Sequence, residues 1–143
     1  MRKKRIRIKT GDIIAIPVSE NKYAYGRVFK DSSIGILEVL SDGIDETIDF
    51  STQEVVLVAG IFDTAIKSGE WPVIKNCPFN NQDEAWSPPR FIRDPINPNK
   101  YRIYHKGEMQ SATKEDAEGL DQFLMFKPDQ LIERINSINE EKK

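Results

Sequence analysis

The sequence predicts an α+β fold: a curved, mostly antiparallel and partly barrel-like β-sheet, a C-terminal amphipathic helix and one or two short helices. Three observations predict it. Short apolar and β-branched runs, separated by polar turns, fill residues 13–62, which is the pattern of a strand meander. Pro128 stands where a helix begins, and Leu131, Ile132, Ile135 and Ile138 then fall on one helical face. The 143 residues are 38% hydrophobic and 31% charged, which is too apolar for a disordered chain and long enough to bury a core. Residues 1–143 are therefore read as a single domain.

The elements follow in order. Residues 1–9 carry six bases and no acid, so this segment is either a solvated strand or a flexible basic arm over residues 1–7. The alternation from Arg5 to Lys9 suits a half-buried strand. Gly11 and Asp12 interrupt it, and residues 13–18 form the next strand. Residues 20–22 turn the chain into a returning strand over 23–29, where Gly26 marks a bulge or a close backbone approach. Asp31, Ser32 and Ser33 make the next turn, and residues 34–40 the next strand. Residues 41–49 are polar and acidic and read as a loop. The apolar run 54–62 reads as a central strand. Asp63 then caps a short helix over 64–68 that Gly69 ends.

Trp71 to Ile74 resumes extended structure. Five prolines between Cys77 and Pro98 exclude helix and predict a long ordered loop, with a short strand at Phe91 and Ile92. Tyr101 to Tyr104 alternates as a late strand. Thr113 or Ser111 caps a short helix that Gly119 stops.

Composition excludes several functions. With one cysteine, Cys77, and one histidine, His105, no internal disulfide and no multi-Cys/His metal site can form. No phosphate-binding glycine loop or nucleophile elbow is present. Asp42, Asp45 and Asp49 do not have calcium-loop spacing. A lone histidine without a recognisable nucleophile reads as structural, so no catalytic residue, metal or cofactor is expected. Cys77 reads as a small buried or semi-buried apolar residue. No apolar run is long enough to cross a membrane, and no export signal is visible, so the cytoplasm is the expected compartment.

One stretch carries a resemblance. The residues from Thr10 through Gly11, Asp12 and Pro17 to Val18, followed by Lys22, Tyr23, Ala24, Tyr25, Gly26, Arg27 and Val28, resemble the immunity protein 26 family of bacterial polymorphic toxin systems, of the contact-dependent growth inhibition type. Gly69 to Ile74, and Pro89, Arg90 and Phe91, are similar to the family's middle region, and the last helix is compatible with its end. The resemblance extends over residues 8–138. It implies a cytoplasmic protein that binds and neutralises the C-terminal domain of a cognate toxin and is not an enzyme. The matching residues Gly11, Asp12, Pro17, Tyr23, Tyr25, Gly26 and Trp71 imply fold, not contact.

Charge points to a contact surface. Residues 38–63 hold seven acids and no base. Many such toxins are nucleases with basic sites, and carboxylates can stand there in place of nucleic acid. Asp42, Asp45, Glu46 and Asp49 are the first candidates, with Glu38 and Glu54 after them; the other reading is that these acids only solubilise a loop. Trp86 and Phe91, in the Pro-rich loop, are candidate aromatic anchors, although the favoured reading of Trp71 and Trp86 is as core residues. The competing function is a small β-barrel that stacks nucleic acid on Tyr23, Tyr25, Tyr101 and Tyr104. A net charge of −2 argues against it.

Overall fold

The computed structural model describes residues 8–141. The basic segment 1–7 lies outside these residues, and Ile8 and Lys9 belong to no strand. Gly11 takes φ +89, and a Cβ there would meet the Cys77 carbonyl oxygen at 2.8 Å, so only glycine fits. The chain then enters β1 (Asp12–Ser19), turns at Asn21 with φ 61, and returns as β2 (Lys22–Val28). β3 (Ile34–Asp42) extends the meander. It runs further than the apolar pattern, because the backbones of Ser41 and Asp42 still pair with Tyr23 and Lys22.

A 3-10 turn (Phe50–Thr52) precedes β4 (Val55–Ile61), and α1 (Thr64–Ser68) leads to β5 (Val73–Asn76). β6 (Arg90–Arg93), β7 (Tyr101–His105) and β8 (Glu108–Ala112) follow the Pro-rich loop. α2 (Lys114–Ala117), β9 (Asp121–Gln122), β10 (Met125–Phe126) and α3 (Pro128–Glu141) complete the chain.

The strands form two sheets, ordered β10-β4-β3-β2-β1-β5 and β8-β7-β6-β9. The short pairings β10 with β4 and β6 with β9 are parallel, and the others are antiparallel. Neither sheet closes on itself, so the barrel-like element of the expectation is replaced by two open sheets. β4 was expected at the centre. It lies next to the edge, covered there by only two residues of β10, which leaves Val55 43% exposed.

Both faces of the larger sheet are covered, which explains why β1 is apolar at successive positions rather than alternate ones. On one face Ile14, Ile16, Ile34 and Ile36 pack with Ile66, Trp71, Leu131 and Ile135. On the other, Ile13, Ala15, Tyr25 and Leu37 pack with Phe50. α3 lies on β1 as its pattern predicts: Leu131 and Ile135 are buried, and Asn136 Nδ2 donates to the Val18 carbonyl at 2.9 Å. Each such buried side chain contributes about 1.5–3 kcal/mol.

Two caps differ from expectation. The Asp63 side chain makes no capping hydrogen bond and instead pairs with Lys67 one turn later at 3.3 Å. Thr113, not Ser111, caps α2 in a full capping box with Asp116, since Ser111 is held in β8. No described helix is long and apolar enough to cross a membrane.

Candidate partner-binding surface

The acidic loop between β3 and β4 is tied down from beneath. Tyr25 is fully buried on β2, and its hydroxyl accepts a hydrogen bond from the Asp45 amide at 2.8 Å. It also bonds the Ser41 hydroxyl. Ser41 spends its one proton on the Gly43 carbonyl at 2.7 Å, so Tyr25 is the donor to Ser41. The result is a relay from the Asp45 amide through two hydroxyls to Gly43. The Tyr25 ring sits 5.0 Å from that of Phe50, a buried residue of the same loop.

Above this base the carboxylates hold local turns. Asp45 Oδ1 accepts from the Thr47 hydroxyl at 2.5 Å and amide at 2.9 Å. Asp49 Oδ1 accepts from the Ser51 hydroxyl at 2.6 Å and amide at 3.1 Å. These bonds hold both carboxyl groups below the ordinary aspartate range, and the charge of Lys75 adds to the effect at Asp49. Asp42 and Glu46 are exposed beside them. Glu38 and Glu54 are brought together across β3 and β4, where the Glu38 amide donates to the Glu54 carbonyl at 2.9 Å. Asp45 and Asp49 thus serve separate turns. Among the described residues no group of three or more His, Cys, Asp or Glu is placed to hold a metal ion.

The far end of this loop borders the Pro-rich segment. Gln53, Val55, Trp86 and Pro88 share the wall of a hollow of about 390 Å³. The Pro-rich segment is pinned at several points. Arg27 donates to the carbonyls of Cys77 and Pro78 at 3.0 and 2.7 Å, and its guanidinium lies 3.8 Å from the Phe79 ring centre. The Lys30 amide donates to the Ala85 carbonyl at 2.7 Å. Trp86 is half-buried, with the Lys30 ammonium 5.2 Å from its ring; it is neither a core residue like Trp71 nor fully displayed. Phe91 lies apart on β6, tilted against Tyr101 at 6.2 Å, so the structure separates the two aromatic candidates.

Asp31 and Arg90 join the two sheets and were not singled out as functional or structural centres from sequence. Asp31 accepts from Ser33 and Ser87, and Arg90 lies 4.5 Å over the Phe123 ring. Nothing in a turn of Asp-Ser-Ser distinguishes a buried carboxylate from a solvated one. Burial raises the Tyr104 phenol above its ordinary value, and the charge of Asp31 adds to this.

His105 is exposed at the rim of the hollow. The Ser87 hydroxyl, which also lines it, is buried and gives its proton to Asp31 at 2.6 Å. That arrangement suits packing more than nucleophilic attack. Cys77 is half-buried against the second core cluster. The four tyrosines do not line one groove: Tyr25 is fully buried, and Tyr101 and Tyr104 stand on the other sheet.

Comparison with known proteins adds the family. No curated protein and no solved structure matches the chain. A family model described as immunity protein 26 matches residues 9–102. That span holds the hairpin motif, the acidic loop, Trp86 and Arg90. It ends within β7, so β8, α2 and α3 lie outside the match, short of the extent that the motifs suggested. With well over half of its length matched, the chain belongs to the immunity protein 26 family.

Proposed function

We propose that this protein binds the C-terminal domain of a cognate bacterial toxin and blocks it by contact, without catalysis, in the cytoplasm of the cell that makes both. Family membership supports an immunity role. The observation that supports the surface is the acidic loop, where Asp45 and Asp49 are held ionised and fixed in place on a base of Tyr25 and Phe50.

The mechanism follows from electrostatics. A toxin acting on nucleic acid presents a basic site, and a base-free segment of carboxylates steers onto it and occupies it. Asp42, Asp45, Glu46 and Asp49 make the main contact, with Glu38 and Glu54 at its edge. Trp86 adds an aromatic contact at the loop's far end, and Phe91 a lesser one. Fixing the carboxylates before binding lowers the ordering cost of the complex.

Co-expression with the toxin domain encoded beside this gene tests the proposal. Survival together with a stable one-to-one complex is the expected result. Killing with no complex would overturn it.

A further inference from the structure

A hollow opens beside Trp86, between the far end of the acidic loop and the Pro-rich segment. Its walls are preformed: the loop that builds them is held by Arg27, by the Lys30 amide and by the bond from Ser87 to Asp31. Its volume of about 390 Å³ exceeds what a single side chain needs. Two aromatic faces nearby already carry cations of the chain itself, Arg27 on Phe79 and Lys30 near Trp86. Two exposed aliphatic walls remain, Val55 and Pro88, above the nearly buried Leu37 and Phe29.

The rim is acidic. Asp83 and Glu84 line it, both exposed, and Glu54 adjoins it between Gln53 and Val55. Asp83 shares its charge with Lys106 at 2.9 Å. Among the described residues Glu84 gives its backbone amide to Asn81, and its exposed carboxylate is not tied to a neighbouring cation. Apolar walls below the Glu84 carboxylate match a side chain with an apolar stem and a cationic head.

Resting on the immunity reading above, we infer that the hollow takes a protruding arginine or lysine from the toxin's basic surface, its stem against Val55 and Pro88 and its head at Glu84. This separates two roles. The acidic loop governs the approach of the partner, and the hollow governs how long it stays.

Surface kinetics with the purified toxin domain tests this. Val55→Trp fills the hollow from one wall and Pro88→Arg places a cation in it from another, and both positions are exposed enough to accept a larger side chain. Each should raise the dissociation rate roughly tenfold or more and leave the association rate within about twofold. Glu84→Gln should raise dissociation several-fold. Either filling variant that keeps its circular dichroism spectrum decides the matter. A wild-type complex whose dissociation is unchanged by a folded filling variant would overturn the inference alone. Absence of any wild-type complex would overturn the immunity reading and the inference with it.

Discussion

Arg90 Nη2 lies 3.5 Å from Asp31 Oδ2, and the two side chains are 1% and 5% exposed. This ion pair ties the turn between β2 and β3 to the first strand of the smaller sheet. Arg90 Nε and Nη1 are buried without a hydrogen-bond partner among the described residues, so the guanidinium depends heavily on Asp31. Asp31→Ala should cost about 3–5 kcal/mol, because it leaves a buried cation uncompensated. Urea unfolding measures this. If the chain is one domain, as its length predicts, Trp71 and Trp86 fluorescence will report a single transition. Two separate transitions would mean that the sheets unfold independently.

The same carboxyl shapes stability in acid. Burial opposes its ionisation, but hydrogen bonds from Ser33 and Ser87 outweigh that and hold it below the ordinary aspartate value. An unfolded aspartate titrates near about pH 3.9. The folded value is lower, so the stabilisation is complete above that pH and is lost as pH falls through the folded value. Asp31→Asn should lower stability at neutral pH and flatten the decline in acid. Urea midpoints measured from about pH 2 to 6 test this. An acid limb as steep as the wild type's would assign the decline to other carboxyls.

Removing one oxygen should loosen the acidic loop. Tyr25→Phe keeps the ring on Phe50 but strands the Asp45 amide and takes from Ser41 the hydroxyl that donates to it, leaving Ser41 its bond to Gly43. A loss of about 1–2 kcal/mol is expected. Hydrogen exchange at the Asp45 amide should accelerate by more than the global loss accounts for. Exchange that tracks global unfolding would show that the relay does not hold the loop.

Gly26 faces Ile34 across β2 and β3. An added Cβ would lie 2.3 Å from Ile34 Cγ2, and Ile34 is fully buried. Gly26→Ala should destabilise by about 1–3 kcal/mol, read as a lowered Tm. An unchanged Tm would mean that the strands separate there at no cost.

Charge reversal tests the steering role. Replacing Asp45 and Asp49 together by lysine should lower the toxin association rate about tenfold or more at low salt, with a smaller effect at high salt. Unchanged association would remove the loop from the encounter surface.

Local chemistry made the element boundaries legible along the chain. The turn at Asn21, the stop at Gly69, the cap at Thr113 and the start at Pro128 each depend on one residue's backbone preference or one short-range bond. β8 escaped the same reading because Glu108, Met109, Gln110 and Ser111 have little strand character. It forms because Lys106 and Gly107 take positive φ and fold it back on β7. β9 and β10 are two residues each, too short to show a period.

For the candidate surface, the sequence by itself determined the charge: a run of acids with no base is plain in the residue order, and ionisation follows from residue type. The sequence also carried the family motif of the first hairpin. Only the tertiary structure decided what stands beneath those acids and what stands next to them. Tyr25 is twenty residues from Asp45 in the chain, and Asp31 is fifty-nine from Arg90. Burial of a hydroxyl under a loop, or of a carboxylate against a guanidinium, is a property of how sheets pack. Neither residue's neighbours in sequence feel that packing, so no local pattern records it.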